Sequence, residues 1–200
     1  MKRREFLAVA AVAGLPAAVM AQEKTASGKK VWPKVPQEWY GQGMYEELAA
    51  KGRGVSAPGP EDRPVAYIAF DPQCQWCERL HRAAAPLYGK VRVVWVPVAV
   101  LNVNSEPQGS MILSAPDPWS KFLENEERFH DKDFRGIPVD QKLVWQLPAE
   151  IRQRVWDNSK IVRRNGCRTV PFGVFKTSAG EYRPIYSGMT TEDLEKAFGL

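Results

Sequence analysis

Cysteine and histidine are both scarce in this chain: three cysteines and two histidines among 200 residues. Structural zinc sites usually set one close ligand doublet against a second, and only one such doublet is present, Cys74 with Cys77. Disulfide-stapled scaffolds carry more cysteine than this, and 200 residues with 44% hydrophobic content bury an ordinary core unaided. Long apolar runs are missing too. Leu7–Leu15 is uninterrupted but falls far short of the ~20 residues a membrane-spanning helix needs, so no stable membrane anchor is expected. Charge is not extreme either. The formal net charge is +5, of which Lys2, Arg3, Arg4 and Glu5 supply +2, leaving +3 beyond them. That is no polycation, and no nucleic-acid partner is expected. The cluster Arg152, Arg154, Lys160, Arg163, Arg164 and Arg168 reads as a solvated helix face whose cations suit the C-terminal end of the dipole. No internal repeat or low-complexity tract occurs.

What is present begins with "MKRREFLAVAAVAGLPAAVMAQ": a basic start, an apolar middle, the helix breaker Pro16 and then small residues. Val19 and Ala21 fit the small-residue rule for signal-peptide cleavage after Ala21. Arg3-Arg4-Glu5-Phe6-Leu7 resembles a twin-arginine export signal, with ordinary secretion as the alternative. Either route leads to an oxidising compartment, so a bacterial periplasm is expected. Residues 22–64 read as an arm and linker, with two helical turns at Met44–Lys51, aromatic contacts from Trp32, Trp39 and Tyr40, and a breaker-rich stretch "GRGVSAPGPEDRP".

The ordered domain is expected from Val65 to the C-terminus. "VAYIAF" (65–70) is a short apolar run between Pro64 and Asp71-Pro72, the pattern of a buried central strand. From Cys74 to Tyr88 the spacing is helical, with Cys77, Leu80, Ala84, Leu87 and Tyr88 on one stripe and Glu78, Arg79 and Arg82 directed away from it. Val91–Leu101 is a second, β-branched strand. Strand, helix, strand over this length is a right-handed unit with parallel strands. Residues 104–165 read as a helical insertion, including a helix opened by Asp117-Pro118 and another running from Pro148 to Asn165-Gly166. A hairpin through "SAGE" and a capped helix, "TTEDLEKAFGL", complete an α/β order of β-α-β, insertion, β-β-α.

The central question is what Cys74-Gln75-Trp76-Cys77 does. Cys74, Cys77, His81 and Cys167 have plausible ligand spacing, so zinc is one reading, although no metal or other cofactor is expected. Covalent haem requires histidine directly after the second cysteine, where Glu78 stands. A disulfide across so short a segment removes little chain entropy, so stabilisation is a poor reason for the pair. Redox chemistry is a better one. At a helix start, Cys74 faces unsatisfied N–H groups and the positive end of the dipole, which favour its thiolate. Cys77, one turn inward, is shielded and placed to attack a mixed disulfide formed at Cys74.

With these residues in place, the chain resembles thioredoxin-fold proteins, and more narrowly the periplasmic disulfide isomerases of the DsbC/DsbG type. "FDPQCQWC" is similar to their active site in its aspartate three residues before the first cysteine and its aromatic before the second, here Asp71 and Trp76. "LNVNSEPQGSMILSAPDPWSKF" resembles their helical insertion, and "NGCRTVPFGVF" their cis-proline loop, which maps to Pro171. The resemblance implies catalytic Cys74 and Cys77, with a loop of Thr169, Val170 and Pro171 that binds extended substrate by its backbone, as exposed strand edges do. Trp76 is a further candidate contact, Gln75 is a candidate for tuning the thiol, and Asp71 is either a second tuner or the residue that holds the helix start through an Asx-type turn. Implied partners are cysteine-containing periplasmic proteins and a membrane or periplasmic thiol redox partner. Two features differ. Val170, rather than threonine, precedes the proline, as in DsbA-type oxidases. The segment before Val65 is also shorter than the dimerisation domain of those isomerases, so the likeness covers their catalytic domain. Cys167 is expected to be a buried, unreactive thiol. A chaperone or binding module that keeps the fold without catalysis is the alternative from another functional class.

Overall fold

The computed structural model describes residues 34–132 and 134–200; the expected signal peptide at 1–21 and the start of the arm lie outside the described residues. β2 (Val65–Phe70) and β3 (Arg92–Pro97) lie parallel at the centre, joined by α2 (Gln75–Ala84) and a short 3-10 turn, Ala85–Leu87, that contains Pro86. β4 (Phe172–Lys176) runs antiparallel to β2, and β5 (Tyr182–Tyr186) antiparallel to β4. The sheet order is β1-β3-β2-β4-β5, with β1 (Val55–Ser56) antiparallel on the outer edge of β3.

Side chains alternate across this sheet as the period of two requires. Ala66, Ile68, Phe70, Val93, Trp95, Phe175 and Ile185 face one side, where α2, α4 (Pro118–Glu127) and α7 (Thr191–Phe198) cover them through Leu80, Phe122, Leu194 and Phe198. This face is aromatic: Phe70, Trp95, Phe122 and Trp119 stack or meet edge-on, and His81 is enclosed among them. Burial, and then the charge of Arg82, lower the His81 pKa to about 4, so the ring is neutral and meets the Tyr88 hydroxyl at 2.8 Å. On the other side Ala69, Val96, Phe172 and Val174 meet Met44 and Leu48 of α1 (Gly41–Lys51) and Ile161 and Val162 of α6 (Ala149–Arg164). Between β3 and β4 stand α3 (Ser105–Ser114), α4, α5 (Gln141–Gln146) and α6.

Local signals decide several ends. Asp117 accepts from the Ser120 N–H at 3.1 Å and caps α4 ahead of Pro118. Thr190 and Asp193 form a reciprocal capping box on α7. α6 stops at Gly166, whose φ of +84° suits glycine and where a Cβ would strike the Glu38 carbonyl.

Tertiary pairing moves other expectations. Before Val65, α1 docks on α6, and the breaker-rich 52–64 stretch supplies β1 to the free edge of β3. The second strand ends at Pro97 instead of reaching Leu101. Beyond it the Val100 and Leu101 N–H groups turn to the Asp71 carboxylate, at 2.8 and 3.0 Å. Glu78, expected to point away from the core, is only 4% exposed, since α4 closes over that side of α2.

Candidate active site

Cys74 is the N-cap residue of α2, with extended backbone, and its N–H donates to the Asp71 carbonyl at 2.9 Å. The N–H groups of Cys77 and Glu78 return to the Cys74 carbonyl at 3.0 and 3.3 Å, which winds the first turn with both sulfurs on one side. Both cysteines are free thiols in this structure. Cys74 Sγ lies 3.5 Å from the Val170 carbonyl oxygen, and the Val170–Pro171 peptide is cis. Thus the helix start and the Pro171 loop, 96 residues apart in sequence, converge on one sulfur.

The two thiols sit in opposed environments. The Cys74 pKa is lowered, first by a hydrogen bond from the Cys77 thiol. Burial opposes this, and the backbone N–H groups of Cys77 and Trp76 reinforce it, although Sγ makes no close capping bond. The sequence suggested the helix start as the main cause; the neighbouring thiol contributes more. Cys77 is pushed well above the ordinary thiol value, first by burial and then by its bond to Cys74 and the charge there. The two shifts run in opposite directions, Cys74 toward the thiolate and Cys77 toward the thiol.

The remaining candidates have distinct places. Asp71 is 1% exposed and accepts from the N–H groups of Gln73, Val100 and Leu101. Burial raises its pKa against these bonds. Its geometry is that of a clamp joining the β2 end to the loop after β3. Trp76 is 42% exposed with the Arg79 guanidinium 4.6 Å above its ring, and Gln75 is exposed beside it. Thr169 is exposed and Val170 half-buried. The four residues with metal-ligand spacing do not meet: His81 lies in the aromatic face, while Cys167 packs on the opposite face. Cys167 is 1% exposed, donates to the Thr169 carbonyl at 3.3 Å, and is pushed up to about 11 by burial.

Sequence reasoning missed Glu126. It sits on α4 among buried groups, one carboxylate oxygen bonded by Asn125 Nδ2 at 3.2 Å and the other without a partner. Burial, chiefly, and then the nearby charges of Glu78 and Cys74 raise its pKa to about 8. Its charge also acts on Cys77. Glu78, paired with Arg82, leads from this interior to the surface, where His130 Nε2 lies 4.0 Å from it. In sequence Glu126 stands in "ENEERF", a pattern that reads as a solvated helix face; only the packing of α4 over α2 reveals it.

No protein-family model and no curated protein matches this chain. Solved structures do. The catalytic domain of Proteus mirabilis ScsC superimposes with a TM-score of 0.60 at 18% identity, covering 80% of this chain and 97% of its own. A periplasmic thioredoxin-like protein from Salmonella enterica serovar Typhimurium gives 0.61 at 15% identity, covering 78% and 94%. The thiol-disulfide exchange protein α-DsbA2 from Wolbachia pipientis gives 0.59 at 14% identity, covering 78% and 91%. These neighbours establish the architecture: the described chain has a thioredoxin-like fold.

Proposed function

We propose that this protein is an exported thiol–disulfide oxidoreductase acting on cysteines of other proteins in the periplasm. The observation that carries this reading is the position of Cys74, a thiol of lowered pKa at the start of α2 facing the Val170 carbonyl, with a protonated Cys77 one turn behind it. Fold neighbours that include a periplasmic thioredoxin-like protein and a thiol-disulfide exchange protein support it.

The Cys74 thiolate attacks one sulfur of a partner disulfide; the S–S bond breaks and the other partner sulfur leaves as a thiolate that takes up a proton. Cys77 then gives up its proton and attacks Cys74 Sγ, which releases the partner's second thiol and leaves a Cys74–Cys77 disulfide. Two electrons pass to the partner, and the reverse sequence oxidises a dithiol with the same atoms. The Val170 backbone offers an extended segment a pairing edge beside the reacting sulfur. In its ionised form Glu126, whose charge acts on Cys77 and whose second oxygen is unpartnered, takes the Cys77 proton in this reading.

Cys74→Ser removes disulfide reduction and oxidation completely, whereas Cys77→Ser accumulates mixed disulfides on Cys74 that can be isolated under non-reducing conditions. Retained turnover in Cys74→Ser overturns the reading. A non-catalytic chaperone would suppress aggregation equally well with and without the Cys74 sulfur.

A further inference from the structure

A groove of about 440 Å³ opens beside the Pro171 loop on the face away from α2. Val98, Val162, Ser159 and Cys167 form its buried floor, and Val100 and Val170 its walls. It is continuous with the candidate active site through two of these residues. The Val170 carbonyl faces Cys74 Sγ, and the Val100 N–H is clamped by Asp71 beneath the same helix start. Arg163 and Arg168 form the rim, both exposed.

The charges around that rim are unbalanced. Arg164 is paired with Glu47, and Lys160 with Asp157. Among the described residues Arg163 and Arg168 have no acidic partner within ion-pair distance. The adjoining hollow gathers Lys160, Arg163, Arg164 and Arg168 around a single carboxylate, Glu38. The cluster that reads from sequence as an ordinary solvated helix face therefore delivers two uncommitted guanidinium groups to the edge of an apolar groove. Guanidinium forks favour carboxylate geometry.

We propose that this groove selects the partner: an extended protein segment whose cysteine meets Cys74, whose apolar side chain enters between Val98, Val100, Val162 and Val170, and whose carboxylate pairs with Arg163 and Arg168. The inference rests on the thiol-exchange reading and adds a substrate class to it. An extended chain places alternate side chains on one face with about 3.3 Å per residue. Side chains two positions apart share a face, so the segment is assigned its apolar residue two positions from the cysteine and its acidic residue within the next two.

The test uses the Cys77→Ser protein and short peptides whose single cysteine carries a thionitrobenzoate leaving group, so that attack by Cys74 releases colour once. The peptides share leucine two positions from the cysteine, on either side, followed by Asp-Asp, Asn-Asn or Lys-Lys. At low ionic strength the acidic peptide reacts ~10-fold faster than the lysine peptide, and the gap narrows in high salt. Replacing the leucine by serine slows the reaction. The Arg163→Glu/Arg168→Glu protein inverts the order of the peptides, while Arg63→Glu/Lys176→Glu, with the same net charge, retains it. Equal rates for all three peptides overturn the proposal, as does an order unchanged by Arg163→Glu/Arg168→Glu or lost in Arg63→Glu/Lys176→Glu. Hydroxyethyl disulfide, which has neither side chain, separates the two levels. Reaction with it but no discrimination among peptides sinks only the groove assignment; no reaction with it or any peptide sinks the thiol-exchange reading as well.

Discussion

Cys74 and Cys167 approach the same loop from opposite faces of the sheet, and the contrast between them shows what makes a sulfur reactive here. Cys74 Sγ lies 3.5 Å from the Val170 carbonyl, and Cys167 Sγ lies 3.3 Å from the carbonyl of Thr169, the residue before it. Both residues are buried. Yet one pKa falls and the other rises to about 11. Depth does not separate them; donors do. Cys74 receives the Cys77 thiol proton and faces the N–H groups that open α2, whereas burial outweighs what the Thr169 segment offers Cys167.

Alkylation kinetics give the largest measure of that contrast. At pH 7 the thiolate fraction of Cys74 exceeds that of Cys167 by about a hundred-fold or more, so iodoacetamide followed by mass spectrometry should label Cys74 first. The rate at Cys74 rises with pH around a midpoint below that of a free thiol. Equal labelling of the two residues erases the distinction. Cys77 is raised by burial as Cys167 is, yet it belongs to the reacting pair, and Glu126→Gln sharpens its place: without that carboxylate, resolution of a trapped mixed disulfide slows by ~100-fold while the first attack by Cys74 persists. Stopped-flow measurement of the two phases distinguishes these steps.

Glu126 also carries a stability signature. Its folded pKa, about 8, lies above the ordinary 4.5. Between those values the folded state holds a proton that the unfolded state has released, so stability declines as pH rises through that window. Glu126→Gln removes this decline and leaves the variant about 2 kcal/mol more stable than the parent at pH 8, with little difference at pH 4.5 in urea titrations. Cys167→Ser has the smallest effect on chemistry. Disulfide exchange stays within about two-fold, and the cost appears as about 1 kcal/mol of stability from a hydroxyl in an apolar site. Exchange that fails with Cys167→Ser would give the opposite face of the sheet a catalytic part.

The sequence discloses whatever is decided within one turn or one strand. Cys-x-x-Cys at a helix start, the bounded apolar run at 65–70, the Asp117 and Thr190 caps and the Gly166 stop depend on near neighbours, and all are readable as local pattern. The rest depends on distant partners. Val55–Ser56 becomes a strand because Val94 and Trp95 offer an edge, not because of any β pattern in a glycine- and proline-rich stretch. Asp71 reads as a possible tuner of the thiol, and its short range to Gln73 is visible; its bonds to Val100 and Leu101 span about thirty residues and are not. Glu78 and Glu126 look like surface charges until two helices close over them. Arg163 and Arg168 look like one more basic face until the Pro171 loop folds beside them.

The carbonyl of Val170 has two incompatible duties. An oxygen lone pair can accept from a sulfhydryl, but it repels a sulfur anion, so ionising Cys74 strands that oxygen without a donor. In the proposed exchange reaction, the amide hydrogen of an arriving polypeptide supplies the replacement. Ionisation and docking thus favour one another through a shared atom: an empty protein keeps more of its nucleophile capped by hydrogen, and a visitor's own backbone helps to uncap it.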